Sequence, residues 1–243
     1  MRWSSNGIIL NFSKHNEKSY ILEIFTEEHG KHKGLIRGLH SKNKRSIIEP
    51  GNEVFASWSG RLETHLGNYN IEPIKLWSSH ILQFKEKLSA ISSICSLISL
   101  TMAESQPNPV IFFSSRKLIE TISKTEKEWI KEYVFWEMQL LSEIGYGLDL
   151  ERCAVTSKSS NLNYVSPSSG RAVTDEGAGD YKSRLLILPK FMTESNADYE
   201  SKDIYEALNL TEFFFKKRFF SPNNLNFPQS RNRLKEIFNH KKL

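Results

Sequence analysis

The hydrophobic residues of the first part of the chain fall in short runs separated by turn residues. These runs are rich in β-branched and aromatic side chains, a composition that favours strands. They occupy residues 7–12, 20–26, 33–38, 54–58 and 64–71, with a hairpin turn predicted at residues 28–31. Five short strands of this kind predict a small closed barrel of the OB type, although the periodicity fits an SH3-like barrel nearly as well.

After about residue 79 the hydrophobic spacing changes to three and four residues, which is typical of helices. Thr125 and Glu128 have the spacing of a capping box, which predicts a helix that opens at Thr125 and ends at Gly145. Residues 151–182 are rich in Ser, Asn and Gly and predict an irregular insert. Further helices are predicted at residues 81–102, 110–122, 201–220 and 228–238.

The pattern therefore predicts an α+β chain in two parts. Residues 1–78 form a five-stranded OB-fold barrel, and residues 79–243 form an all-α domain that contains the insert. The composition, 39% hydrophobic and 25% charged, is typical of a globular protein. Neither a bilayer-length apolar run nor a signal peptide is recognisable, so we expect a cytoplasmic protein without a membrane partner.

The charge is unevenly distributed along the chain. Its net value is +5, composed of +3 in residues 1–78, −5 in residues 79–212 and +7 in residues 213–243. Two basic regions that flank an acidic middle suggest an anionic partner at a defined face. A solvated surface of mixed charge explains the distribution about equally well.

One basic run has the character of a phosphate-binding loop. Residues 31–48 contain six cations and no carboxylate; the cations are Lys31, Lys33, Arg37, Lys42, Lys44 and Arg45. Such a cluster suits a nucleic-acid backbone, because no neighbouring acid neutralises it. On a small barrel it would border a groove for single strands, with bases stacking on Phe12, Tyr20, Phe55 or Trp58. The simpler interpretation is a solvated charged loop.

A second basic element lies among phenylalanines at residues 213–220. Lys216, Lys217 and Arg218 could contact DNA or an acidic peptide that ends in a carboxylate. Catalytic motifs are missing from the sequence, and we interpret Asp175, Glu176 and Asp180 as turn residues rather than metal ligands. We therefore expect a protein without catalytic residues, cofactor or metal. A nuclease would require a carboxylate cluster for Mg²⁺.

Several segments together resemble the bacterial DNA repair protein RecO family in its alphaproteobacterial form. The resemblance covers nearly the whole chain and rests on the order and spacing of the segments. In the barrel these are residues 7–10, 20–32, 34–38, 66–67 and 72–73. In the second part they are residues 145–150, 153–156, 164–173, 184–189, 210–214 and 220–222.

The resemblance implies a DNA repair and recombination mediator that is not an enzyme. Such a protein would bind single- and double-stranded DNA, anneal complementary strands and contact the C-terminal tail of the single-strand-binding protein SSB. With RecR it would help to load RecA onto SSB-coated DNA. Arg37, Lys42, Lys44 and Arg45 would match the basic barrel surface of the family. The alternative is a protein-interaction module without direct DNA binding.

Some members of that family hold a structural zinc ion with four cysteines in the insert. Here Cys153 remains, and Thr156 stands where its Cys-x-x-Cys partner would be. Because a closed zinc site requires four ligands, we predict no zinc in this chain. The insert would then depend on packing and hydrogen bonds, with Arg171 and Tyr164 as candidates.

Overall fold

The first part of the chain forms a closed barrel in the computed structural model, which describes residues 1–17, 19–38, 45–62, 65–194 and 196–239. The strand order is β1-β2-β3-β5-β4, and neighbours are antiparallel except for the parallel pair β3 and β5. This arrangement confirms the OB-type prediction over the SH3-like alternative. The strands are β1 (Arg2–Asn16), β2 (Ser19–Thr26), β3 (Gly30–Arg37), β4 (Glu53–Ser59) and β5 (Gly67–Lys75).

The barrel interior is filled by inward-facing side chains from every strand. They are Ile9, Leu22, Ile24, Ile36, Val54, Ala56, Trp58 and Tyr69, joined by Ile48 from the 3₁₀ helix Ser46–Ile48. The prediction began the first strand at residue 7, whereas β1 already begins at Arg2. The polar residues around Trp3 obscured this extension, because they interrupt the hydrophobic run that marks a strand.

Three helices follow the barrel and belong to the same compact unit, Met1–Trp129 with Pro228–Arg231. They are α1 (Trp77–Ile81), α2 (Lys85–Thr101) and α3 (Pro109–Lys124). Helix α2 packs on the barrel, where the Cys95 thiol donates a hydrogen bond to the Ile9 carbonyl oxygen at 3.6 Å. Neither α2 nor any other described helix is long and apolar enough to cross a membrane.

The capping box predicted at Thr125 is wrong. Thr125 instead ends helix α3, and both its amide and its hydroxyl donate to the Thr121 carbonyl oxygen, at 2.9 and 3.0 Å. The next helix, α4 (Trp129–Glu143), begins four residues later. Gly145 follows α4 with a φ of +86°, a conformation that suits glycine at a helix end and agrees with the prediction.

The second compact unit comprises Ile130–Phe227 and Asn232–Leu243. Its insert contains a small sheet of strand order β7-β6-β8. The sequence predicted irregular structure there, because strands this short show no recognisable alternation of hydrophobic and polar residues. The insert elements are β6 (Leu162–Val165), β7 (Ala172–Thr174), α5 (Asp175–Ala178) and β8 (Leu186–Ile187). Beyond it come α6 (Ser201–Phe214), the π-helix Phe215–Phe220 and α7 (Gln229–Ile237).

Candidate nucleic-acid interface

Lys31, the first member of the basic run, is buried against the end of α2. Its residue is 7% exposed, and its Nζ donates a hydrogen bond to the Ser99 carbonyl oxygen at 2.5 Å. Burial lowers the pKa of Lys31, and the carboxylates of Glu23 and Glu104 only partly oppose this. A phosphate could reach this ammonium only by displacing the helix. Lys31 therefore serves the packing of α2 on the barrel.

Lys33 lies two residues further along the same face of β3, and two carboxylates neutralise it. Its Nζ is 3.0 Å from Glu104 Oε1 and 3.7 Å from Glu23 Oε1. The hydrogen bond with Glu104 raises the pKa of Lys33. Although half of its side chain is exposed, its charge is already satisfied within the protein. Lys33 is consequently a weak candidate for a phosphate contact.

Arg37 and Arg45 lie at the two ends of the remaining part of the basic run. Arg37 is the last residue of β3 and is exposed on the outer face, since its neighbour Ile36 enters the core. Arg45 is also exposed and immediately precedes the 3₁₀ helix that places Ile48 in the core. The predicted site residues Lys42 and Lys44 fall between these arginines, outside the described residues.

Two of the predicted stacking residues lie at the same end of the barrel as Arg37. Phe12 and Tyr20 are half-buried, and their ring centroids are 6.1 Å apart in an edge-to-face arrangement. In the sheet, Tyr20 pairs with the exposed Lys14, and the adjacent Ser19 pairs with Arg37. Strand pairing therefore places Lys14 opposite Tyr20, whereas Arg37 lies on the other face of β3 from Ile36, the partner of Tyr20. An aromatic ring beside a cation is a combination that suits single-stranded nucleic acids.

The other two predicted stacking residues have different environments. Trp58 is 1% exposed and belongs to the barrel core, whereas Phe55 is 42% exposed on the outer face of β4. Trp3, which no hydrophobic run in the sequence marks, stacks on both Trp58 and His29, with centroid distances of 5.7 and 4.3 Å. It lines an open groove of about 450 Å³ together with Arg2, Ser4, Ser57, Trp58, Ser59, Asn68, Tyr69 and Asn70.

In the second basic cluster, two cations hold a turn of the insert. Lys217 Nζ donates to the Pro167 carbonyl oxygen at 2.8 Å, and Arg218 Nη2 donates to the Ser168 carbonyl oxygen at 3.3 Å. Both residues lie on the π-helix, and the two carbonyl groups lie in the connection between β6 and β7. The cations thus have a structural role, although the hydrogen bonds are exposed to solvent.

Lys216, the third member of this cluster, pairs with Glu212 one helical turn away at 2.5 Å. Burial raises the pKa of Glu212, but hydrogen bonds from Lys216 and Lys235 outweigh it and lower the pKa overall. Each cation of the cluster also lies near an aromatic ring, Lys216 at 5.2 Å from the Phe227 centroid. The sequence indicated the three cations. It did not indicate their carboxylate and aromatic partners, because only the fold places most of these groups next to the cations.

Two family profiles cover most of the chain. The profile described as "Recombination protein O N terminal" matches residues 1–77, and "Recombination protein O C terminal" matches residues 85–224. The chain belongs to the RecO family. Both basic clusters lie inside the matched segments, so they are part of the RecO fold rather than of an added extension.

Individual RecO proteins are similar to this chain over nearly its whole length, in agreement with the family profiles. A DNA repair protein RecO from Ruegeria sp. (strain TM1040) is 38% identical over 218 residues, which cover 90% of each chain. The RecO protein of Chelativorans sp. (strain BNC1) is 37% identical over 95% of this chain and 93% of its own. That of Bartonella tribocorum is 35% identical over 98% and 96%. The RecO resemblance drawn from the sequence is confirmed, and the chain is a DNA repair protein of this family.

The residues of this RecO chain do not fit the four-cysteine zinc site found in some members. Cys153 is the one cysteine of the insert, and Thr156 occupies the partner position. Asp175, considered above as a metal ligand, pairs with Lys182 at 2.8 Å. Among the described residues, no three His, Cys, Asp or Glu side chains cluster closely enough to hold a metal ion.

Proposed function

We propose that this RecO-family protein is a non-enzymatic recombination mediator that binds single- and double-stranded DNA through one end of its barrel. The contacting cations are Arg37, Lys42, Lys44 and Arg45. By neutralising phosphates it anneals complementary strands, and together with RecR it helps to load RecA onto SSB-coated DNA. Annealing requires charge neutralisation and alignment of two strands, and no bond is made or broken.

The observation that carries this proposal is the exposure of Arg37 and Arg45 on either side of the segment that contains both lysines. Lys31 and Lys33 are engaged with Ser99 and Glu104, so we assign them a structural role. The neighbouring rings of Phe12 and Tyr20 add surfaces on which bases can stack. The proposed DNA site therefore contains fewer cations than the basic run that the sequence indicates.

A second proposed contact involves the tail of SSB and the cations at 216–218. An acidic peptide that ends in a carboxylate suits a cluster of lysine and arginine next to phenylalanine rings. Lys217 and Arg218 would have to share their donors between the insert turn and the peptide. The cytoplasm, where SSB-coated DNA is found, is the compartment this function requires.

Fluorescence anisotropy with a labelled single-stranded oligonucleotide, measured across a salt series, tests the DNA site. Replacing Lys42, Lys44 and Arg45 together by alanine should weaken binding and flatten the salt dependence by about 0.7 to 1 unit per lost phosphate contact. Lys33→Ala is the matched control, because it removes a cation of the same run whose charge is already paired. Its salt dependence should equal that of the wild type.

Each alternative predicts a different result. An unchanged slope in the triple variant would move the DNA site elsewhere, with the 216–218 cluster as the next candidate. A wild-type protein that binds an SSB-tail peptide but no DNA at any salt concentration would establish the protein-interaction module instead. Strand cleavage that requires Mg²⁺ and is abolished by EDTA would contradict the non-enzymatic assignment.

A further inference from the structure

Two turns of the insert face each other across the Cys153 sulfur. The first turn contains Cys153 and Thr156, and the second begins at Thr174, so that all three residues meet at one point. The backbone amides of Val155, Thr156 and Thr174 donate to Cys153 Sγ at 3.4, 3.4 and 3.3 Å. Thr174 Oγ1 lies 3.5 Å from the same sulfur. The sulfur is thus enclosed by hydrogen-bond donors from both turns.

The second turn has the same spacing as the first. Gly177 follows Thr174 by three residues, as Thr156 follows Cys153. A Cβ atom built on Gly177 would lie 3.0 Å from Cys153 Sγ and 3.3 Å from Thr174 Oγ1. The Thr156 and Thr174 hydroxyl oxygens are 3.4 Å apart. Four side-chain positions therefore converge on one small volume. They form two pairs, and the members of each pair are separated by two residues: Cys153 with Thr156, and Thr174 with Gly177.

Two edges of this arrangement have nearly the length found in a tetrahedral thiolate site. With Zn–S bonds of about 2.3 Å, the edge of such a tetrahedron is about 3.8 Å. The distances of 3.4 to 3.5 Å between the present oxygen and sulfur atoms are close to that edge. The two turns are also tied together, since the Ala154 amide donates to the Ala172 carbonyl oxygen at 2.8 Å and Lys158 pairs with Glu176.

We propose that the insert of this chain is a metal-knuckle scaffold that folds without metal, in which hydrogen bonds to Cys153 replace the metal–ligand bonds. Thr156, Thr174 and Gly177 occupy the other three ligand positions. One sulfur and two hydroxyl groups do not make a zinc site, because zinc in closed sites requires four Cys or His ligands. The backbone nevertheless keeps the four positions together, and cysteines at these three positions create a Zn²⁺ site after a small shift at Gly177, where a Cβ atom would lie 3.0 Å from Cys153 Sγ.

The test is a gain of metal binding in the full-length protein. The triple variant Thr156→Cys/Thr174→Cys/Gly177→Cys should retain one zinc per chain, measured by elemental analysis after gel filtration. With Co²⁺ it should give the visible absorption of a tetrahedral thiolate site, while the wild type gives none. Its thermal unfolding should become sensitive to EDTA, whereas that of the wild type should not, because no metal holds the native insert.

A matched control variant has the same number of thiols, but one of them lies away from the Cys153 sulfur. In Thr156→Cys/Thr174→Cys/Ser169→Cys the third new cysteine lies in the exposed turn between β6 and β7. Because this control keeps three of the four sulfurs, a folded triple variant that binds Zn²⁺ or Co²⁺ no more tightly than the control overturns the proposal. Because the contact at Gly177 is tight, Thr156→Cys/Thr174→Cys provides a second test: three sulfurs should bind Co²⁺ more weakly but still tetrahedrally.

Discussion

At the scale of single residues, the two cysteines of this chain show how surroundings decide the state of a thiol. Cys95 is buried between α2 and the barrel, and burial raises its pKa to about 12. Burial also raises the pKa of Cys153, but the hydrogen bonds from Thr156 and Thr174 outweigh it and lower the pKa to about 6. The first is therefore a neutral core thiol and the second a hydrogen-bonded thiolate at neutral pH.

This contrast predicts that Cys153 makes a pH-dependent contribution to stability and Cys95 does not. Its pKa falls from 9.0 to about 6 on folding, so its contribution is complete above about pH 9 and disappears as the pH falls through about 6. The difference in unfolding free energy between wild type and Cys153→Ser should therefore shrink over that interval. One proton limits the slope to about 1.4 kcal/mol per pH unit. Chemical denaturation at several pH values measures it.

Cys95→Ala is the control for this experiment. Because the Cys95 thiol stays protonated over the whole interval, its removal should lower the stability by the same amount at every pH. Groups that titrate in both proteins cancel in each difference. A Cys153→Ser difference as flat as the Cys95→Ala difference would show that the sulfur is not a thiolate.

At the scale of elements, the π-helix Phe215–Phe220 holds the β6–β7 turn. A glycine substitution in that turn tests this contact when it is compared with a glycine substitution outside the turn. Gly170 has a φ of +76°, and a Cβ there would lie 2.9 Å from Arg218 Nη2. Gly145 has a similar φ of +86° but open space around it. Gly145→Ala should therefore be destabilising by about 1 kcal/mol through backbone conformation alone.

Gly170→Ala should be more destabilising than Gly145→Ala, since it also pushes the Arg218 guanidinium away from the Ser168 carbonyl group. Thermal unfolding of the two variants measures the difference. In an Arg218→Ala background the excess should fall, and the 3.2 Å contact of the new Cβ with Leu148 Cδ2 accounts for what remains. An excess that is unchanged there would mean that the arginine does not hold this turn.

Sequence patterns predicted elements well where residues close together in sequence define them. The barrel strands follow from hydrophobic runs, and the end of α4 follows from Gly145. The capping box at Thr125 failed because its spacing is local, whereas the hydroxyl group bonds backward to Thr121. The insert sheet could not be predicted, since its strands have two to four residues and gain their order from partners distant in sequence.

The same limit applies to the site at the scale of the whole molecule. An acid-free run marks a basic segment, but it does not show that Lys31 and Lys33 are engaged by partners elsewhere in the chain. Glu104 is far from Lys33 in sequence, and only the fold brings it within 3.0 Å. The family assignment, by contrast, was accessible from the sequence, because it depends on the order of many short segments rather than on any one contact.

The separation of charge into two basic regions predicts that binding and annealing can be uncoupled. Annealing brings two polyanions together, so a protein with a second basic surface can neutralise the incoming strand after the first is bound. Lys216→Gln/Lys217→Gln should then bind a single-stranded oligonucleotide as the wild type does but anneal complementary strands more slowly. Stopped-flow fluorescence with dye-labelled strands measures the annealing rate.

The control for this variant is Lys127→Gln/Lys202→Gln, which removes the same charge from exposed positions in the acidic middle of the chain. Its annealing rate should match the wild type if position matters more than net charge. Equal slowing in both variants would mean that overall charge governs annealing. Unchanged annealing in Lys216→Gln/Lys217→Gln would exclude these two lysines from DNA and leave the SSB tail as the proposed ligand of that cluster.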